Sequence, residues 1–389
     1  MKLSSDDLGF LFEPHHADVA ERARRFAEGW QATDGDDAVR TRKAARALAI
    51  AGLTDYCVPE RFGGASVGRP DGLDVRAVTL VREALGYVDG LLDTAFAMQG
   101  LGSLPVSLAG DDTQKARYLA GILDGSRLGA FALTEPDAGS DVSSLACRAT
   151  ADGDGWVIGG EKTFISNAGI AGQYVVFATV DPALGRRGIT AFVVEPDDPG
   201  LSVTPLEVIA PHPIGTLHFD GCRVGPDRLL GEVGGGFKLA MRTLDAFRNT
   251  VGGAALGMAR RALDEALAWA TTRTQFGKAL IDHQQVAAYL ADSATELDAA
   301  RLLVFRGAHA RDTREGRVSL EVAMGKLYAT EAAQRIIDRA VQIHGGRGVM
   351  RGQPVERLYR EVRALRIYEG TSEIQRVVIA AALKAAAAR

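Results

Sequence analysis

The chain has 389 residues, 47% hydrophobic and 24% charged, with 45 Gly and 13 Pro, the composition of an ordinary folded protein without disordered bias. Lys and Arg number 45 against 49 Asp and Glu, a formal charge of −4, so no basic field exists to draw nucleic acid. Cys57, Cys147 and Cys222 match no metal-ligand spacing, and neither an apolar leader core nor an apolar run of about 18 residues is present; the expectation is a soluble, cytoplasmic chain of two or three domains with no membrane span.

From Pro14 to about Ser126 the apolar spacing is helical: Val19, Ala23 and Phe26, then Ala44, Ala45, Leu48 and Ala51. Gly52 and the stretch Pro59–Gly64 break the pattern, and helices resume around Val75–Gly86, Leu91–Leu108 and Thr113–Leu123. Near Leu128 the period changes. Gly129–Leu133 reads as a strand leading into the turn Thr134–Asp141, and Cys147–Ala151 with Trp156–Glu161 flank the hairpin signal Asp152-Gly153-Asp154-Gly155. Tyr174–Val180, Ile189–Glu195, Leu201–Glu207 and Thr216–Phe219 are further short strands, which together predict a small antiparallel sheet, closed or sandwiched. Long helices follow over Lys238–Arg273, Gln284–Arg311 and Leu320–His344, and Ser372 with Gln375 reads as a capping box opening a fourth. The glycines and alanines of Gly252–Ala259 would let another backbone come close. The fold class is therefore α+β multidomain: an N-terminal all-α domain (1–127), a middle antiparallel β domain (128–234) and a C-terminal four-helix bundle (235–389).

Several segments carry residue types suited to chemistry. Glu369 sits in the turn Tyr368-Glu369-Gly370-Thr371 between helices, where a carboxylate is either a rigidly held base or a solvated acid beside a helix start. Thr134–Asp141 offers backbone N–H groups to a ring edge or a pyrophosphate, or is an ordinary loop. Phe164 and Ser166, one residue apart on a strand, share a face. Arg273, Phe276 and Gly277 pair a cation with an aromatic, or simply end a helix. No Gly-x-Gly-x-x-Gly or Walker sequence occurs, and the seven histidines form no ligand pair, which disfavours a nicotinamide Rossmann enzyme and a metalloenzyme.

The order helices, sheet, helix bundle, together with Ala132–Asp141, Lys162–Ala168, Arg273–Lys278, Gln342–Gly346 and Tyr368–Gln375, resembles the acyl-CoA dehydrogenase family of flavoproteins over nearly the whole chain. The resemblance implies FAD as cofactor, with Phe131, Leu133, Thr134, Ser140, Phe164 and Ser166 lining the flavin, and Arg273, Phe276, His283, Gln284, Gln342, His344, Gly345, Gly346, Thr371 and Glu373 holding it. Because the Arg273–Phe276 segment reaches the FAD of a neighbouring subunit in the family, it implies a homo-oligomer, a dimer or a homotetramer. Ser140, Asp245, Phe247, Arg248, Tyr368 and Gly370 are implied at the acyl-CoA. Many relatives carry Trp in place of Phe164, so the stacking surface here is smaller.

The implied chemistry is α,β-dehydrogenation of an acyl thioester. Glu369 is the implied base for the α proton, its backbone N–H and a flavin ribityl hydroxyl bond the thioester carbonyl, and the β hydride goes to the flavin. Some relatives place their base instead just before the Arg that matches Arg248; here that position is Phe247, which leaves Glu369 as the candidate. Electrons are expected to pass to an electron-transfer flavoprotein. The stretch Ile209–Thr216 lacks the cation and Gly-x-Arg turn of many relatives, and Phe247 suggests a shorter or bulkier acyl group. Alternatives on the same fold are a dehydrogenase of a carrier-protein-tethered acyl group, a flavin oxidase or monooxygenase, and a non-catalytic binding protein.

Overall fold

A computed structural model describes residues 1–67 and 72–388. Five helices come first: α1 (His15–Gly29), α2 (Asp37–Ile50), α3 (Val75–Val88), α4 (Gly90–Ala109) and α5 (Asp112–Leu123). The last is opened by a capping box in which Asp111 accepts from the Gln114 N–H and the Gln114 side chain accepts from the Asp111 N–H. Eight strands follow: β1 (Gly129–Ala132), β2 (Arg148–Asp152), β3 (Gly155–Ser166), β4 (Gln173–Thr179), β5 (Ile189–Val194), β6 (Leu201–Leu206), β7 (Ile214–Val224) and β8 (Leu229–Leu230). Then come α6 (Gly236–Thr272), the two-strand ribbon β9 (Thr274–Gln275) and β10 (Lys278–Ala279), and α7 (Gln284–Thr313), α8 (Ser319–His344), α9 (Pro354–Val362) and α10 (Ser372–Ala387).

The chain packs as two compact units, Met1–Gln31 with Val75–Asp93 and Arg248–Arg389, and Ala32–Asp74 with Thr94–Phe247. The second is built on one sheet with strand order β6-β7-β3-β2-β4-β5-β8, and β1 added beside β4. Alternation along β4 divides its side chains between two cores. Val175 and Phe177 pack with Val106, Tyr118, Leu119 and Ile122 of α4 and α5, whereas Tyr174, Val176 and Ala178 pack with Ile158, Leu217, Phe219 and Cys222 of β3 and β7. Most pairings are antiparallel as the hairpin signals predict, but β4 takes β1 and the start of β2 in parallel. Both cross over through chain that hairpin signals do not reveal. Strand β7 runs further in both directions than the apolar run Thr216–Phe219, because its polar residues still complete the ladder with β3.

In the first unit α1 lies on α3, α3 on α7, α7 on α8, and α8 carries α9 and α10. The close approach expected of the Gly252–Ala259 stretch is made to α3. A Cβ added to Gly257 would stand 2.1 Å from the Glu83 carbonyl oxygen, and one on Gly253 would stand 2.5 Å from that of Thr79. Glycine is required here by backbone contact rather than by conformation.

Three local expectations are corrected. The helix does end at the Arg273 segment, α6 closing at Thr272 with the Arg273 N–H on the Trp269 carbonyl, but Gly277 is not its stop: the chain turns back through β9 and β10, with Phe276 and Gly277 both left-handed at the tip, the geometry of a two-residue hairpin. Helix α10 is capped by Thr371, whose hydroxyl accepts from the Ile374 N–H at 3.3 Å; Ser372 is one residue inside and donates to Glu331 at 2.6 Å. A short helix, α9, stands between α8 and α10 where no helix was expected, started by Pro354 in its first turn.

Candidate active site

The turn Tyr368–Gly370 leaves a helical segment and enters α10, and its backbone is unusual. Glu369 has φ of 53° and Gly370 of 90°. For a residue with a side chain the left-handed region costs roughly 1–2 kcal/mol, so the surroundings must enforce it. They do so through three consecutive carbonyls. Lys326 Nζ donates to the Tyr368 oxygen at 3.1 Å and to the Gly370 oxygen at 2.8 Å. Arg248 Nε donates to the Glu369 oxygen at 3.1 Å, and Gln375 Nε2 to the Gly370 oxygen at 2.8 Å. Lys326, Gln375 and Arg248 are all buried.

The Glu369 carboxylate is held differently. Its Oε2 is buried and has no hydrogen-bond partner among the described residues, an arrangement that leaves a buried acceptor free for a proton. Burial pushes the Glu369 carboxyl up from its ordinary value, against the pull of Arg82, Lys326 and Arg248. Arg82 is itself buried and tied bidentately to Asp93 at 2.9 and 2.8 Å, with a third bond to Thr250 Oγ1 at 3.0 Å. Its charge also opposes the rise that burial imposes on the Tyr368 hydroxyl. Of the residues expected at this site, Glu369, Tyr368, Gly370, Thr371 and Arg248 are brought together. Arg82, Asp93, Lys326 and Gln375 complete it and were not anticipated. The signal for Lys326 was a lysine on the apolar stripe Ala329, Ala333 and Ile336 of α8, and for Arg82 an arginine among Val78, Val81 and Leu85 of α3.

The segments expected to line a flavin are accounted for separately. In the sheet unit a β-bulge between Lys162 and Ile165 puts Phe164 at φ 55° with 62% of its surface exposed, between the buried Thr163 and Ile165. Strand alternation is therefore broken at Phe164, and the bulge instead of the pleat presents its ring. Ser166 Oγ is hydrogen-bonded to His212 Nε2 at 2.8 Å, and the His212 N–H donates to Asp37 at 2.9 Å. Burial pulls His212 down to about 4, so this imidazole is neutral at pH 7. The atypical loop 209–216 thus supplies a partner to a residue implied at the flavin. Phe131 packs on Phe177 with ring centroids 4.9 Å apart. The Leu133 carbonyl accepts from Lys162 at 3.1 Å, that of Thr134 from the Thr163 N–H at 2.9 Å, and Ser140 is exposed. Asp245 is half-buried on α6 and Phe247 is fully buried, its ring so close to Gly100 that a Cβ there would stand 2.1 Å away.

In the helical unit Arg273 is exposed, and Phe276 is 95% exposed beside His283, whose Nε2 bonds the Gln275 carbonyl at 3.1 Å. His344 stacks on Trp269 at 5.6 Å and donates through Nδ1 to the Ala340 carbonyl, a packing role. Gln284, Gln342, Gly345, Gly346 and Glu373 are exposed. Two aromatic rings held outward on left-handed backbone, with open space around Gly139, Gly345 and Gly346, suit a planar ring system and a nucleotide, so the residues present fit FAD.

Comparison with known proteins agrees with this chemistry. The acyl-CoA dehydrogenase N-terminal, middle and C-terminal domains match residues 13–126, 130–222 and 234–384. The human mitochondrial short-chain specific acyl-CoA dehydrogenase is 42% identical over 335 residues, 85% of this chain and 79% of that protein. The solved butyryl-CoA dehydrogenase of Megasphaera elsdenii superposes with a TM-score of 0.87 at 34% identity, covering 96% of this chain and 98% of that one. A chain in the structure reported as "Electron transferring flavoprotein of Acidaminococcus fermentans: Towards a mechanism of flavin-based electron bifurcation" gives 0.88, also at 34% identity, with 96% and 98% covered. Among the described residues no helix is long and apolar enough to cross a membrane. The chain belongs to the acyl-CoA dehydrogenase family of FAD-dependent oxidoreductases.

Proposed function

We propose that the protein oxidises an acyl-CoA thioester between its α and β carbons, with Glu369 as the base that takes the α proton. The buried, partnerless Oε2 of Glu369 carries this reading. A carboxylate in water is too weak a base for such a proton; burial raises the basicity of Glu369, while Arg82, Lys326 and Arg248 keep the ionised form attainable. The Glu369 N–H has no acceptor among the described residues, so it is free to donate to the thioester carbonyl as charge develops there. FAD, when bound, supplies the acceptor for the β hydride. Phe131, Leu133, Thr134, Ser140, Phe164 and Ser166 are the residues we assign to its ring. Arg273, Phe276, His283, Gln284 and Gln342–Gly346 are assigned to its nucleotide end, contributed to a neighbouring subunit of a homo-oligomer.

We read the acyl group as short. Phe247 is fully buried and its ring takes the volume that a side chain at position 100 would need, and the relatives above are named for short-chain and butyryl substrates. An electron-transfer flavoprotein is the electron acceptor in this reading. The test is to mix the yellow protein anaerobically with short, branched, cyclic and aromatic acyl-CoAs and follow flavin bleaching. Bleaching by a short acyl-CoA, abolished in Glu369→Gln, is the expected result. No bleaching by any member, with FAD retained, would overturn the acyl-CoA assignment in favour of a carrier-tethered acyl group.

A further inference from the structure

Lys326 is 0% exposed, on the core face of α8. An ammonium is a strongly hydrated point charge, and removing it from water is costly unless partners replace that hydration. Among the described residues it forms no ion pair. Its hydrogen bonds go to the Tyr368 and Gly370 carbonyls, the two that flank Glu369. Saturating those oxygens does not demand a cation, since the Gly370 carbonyl already receives Gln375. A neutral donor at position 326 would serve the backbone with less desolvation.

The other charged groups facing the turn are largely committed elsewhere. Arg82 from α3 is held along one edge by both carboxylate oxygens of Asp93 from α4 and on the other by Thr250. Glu331, also on α8, takes Arg366 and the Ser372 hydroxyl. Arg248 from α6 holds the Glu369 carbonyl, and Glu373 on α10 is exposed to solvent.

We propose that Lys326 is a positioning residue for proton abstraction, which pins both neighbours of Glu369 so that the left-handed turn cannot relax and places a fixed positive charge beside the base. This rests on Glu369 being the base. Burial pulls Lys326 down to about 8, with Glu369 the first charge opposing that fall, and Lys326 in turn helps hold Glu369 down. The coupling is mutual, as linked charges require.

The experiment compares the full-length FAD-loaded protein with Lys326→Met, Lys326→Arg and Glu369→Gln, using butanoyl-CoA as the probe and single-turnover flavin reduction across pH. Glu369 acts ionised, so the rate rises with pH through its pKa. Removing the neighbouring cation raises that pKa, and K326M is expected to move the acid limb upward by about one pH unit. At pH 7 the same variant should lower kcat by roughly 10-fold or more while KM changes by less than about threefold. K326R keeps the charge and should leave the limb within about 0.3 units of the parent. A K326M protein that retains FAD and shows the parent limb would overturn the proposal, as would K326R shifting as far as K326M. Should K326M not fold, Lys326→Gln keeps a donor for the carbonyls without the charge and is read in the same way. Flavin reduction that survives in E369Q would refute the base assignment instead, an outcome distinct from an unmoved limb in K326M.

Discussion

Glu369 and Phe276 share a backbone conformation that side chains rarely adopt, with φ of 53° and 52°, and each is followed by a left-handed glycine. Their surroundings are opposite. Around Glu369 the strain is enforced by tertiary contacts from three helices: Lys326 on α8, Arg248 on α6 and Gln375 on α10. Around Phe276 it is enforced locally by the two-residue tip joining β9 to β10, and the ring is almost fully exposed. A strained residue locked from all sides is suited to chemistry inside its own fold. A strained residue that offers a bare aromatic to solvent is suited to something that arrives from outside.

The strongest way to test this contrast is at the carboxylate. Glu369→Gln changes only the ability to take a proton, and flavin reduction by a short acyl-CoA should fall by about 10²–10⁴-fold with FAD still bound. Retained rate in stopped-flow measurements would remove Glu369 from the chemistry. The parent profile sharpens the point. Burial raises the Glu369 carboxyl, and the base works ionised, so the acid limb of the reduction rate should lie above the ordinary carboxylate value of about 4.5. A limb at or below that value would mean that the nearby cations outweigh burial.

The two glycines give a matched pair of smaller effects. At Gly370 a Cβ would stand 2.7 Å from Gln375 Nε2, an atom committed to the Gly370 carbonyl, so alanine must displace a hydrogen-bonded side chain as well as accept positive φ. Gly370→Ala should cost about 2–3 kcal/mol in chemical unfolding and slow flavin reduction. At Gly277 a Cβ meets nothing within 4 Å, so Gly277→Ala pays only the conformational cost, about 1 kcal/mol. Equal losses of stability at the two positions would erase the distinction between tertiary and local enforcement.

How far the sequence disclosed these regions follows the same line. The order of helices, sheet and helices was legible because each type buries one face at its own period, and Glu369 was legible because the turn around it resembles a known family. The clamp was not. A sequence displays Lys326, Arg82 and Asp93 as charges, and only packing shows that each is buried and whom it faces. The Ser372–Gln375 capping signal misled because Ser372 has a stronger partner in Glu331, a residue 41 positions away. Likewise the union of α1 and α3 with the C-terminal helices depends on backbone contacts such as Gly257 against Glu83, which no local pattern encodes. At Phe164 the alternation rule said only that the ring shares a face with Ser166, and it is the bulge, not the pleat, that turns the ring outward.

The smallest expected effect falls on Phe276. With 95% of its surface exposed and the His283 ring edge-on beside it, Phe276→Ala should change folding stability by no more than about 0.5 kcal/mol. If the ring covers a nucleotide held by a neighbouring subunit, the variant loses an aromatic contact worth about 0.5–1.5 kcal/mol, so FAD should dissociate roughly 2- to 10-fold more readily. Flavin fluorescence on dilution reads that release, and it should rise without any fall in the melting temperature of the cofactor-free protein. Unchanged FAD release would leave the exposed ring without a nucleotide to cover, and the hairpin would then be strained for no purpose that the cofactor supplies. A change in melting temperature with unchanged release would place Phe276 among residues that serve their own chain, and the contrast with Glu369 would fail at its outward-facing end.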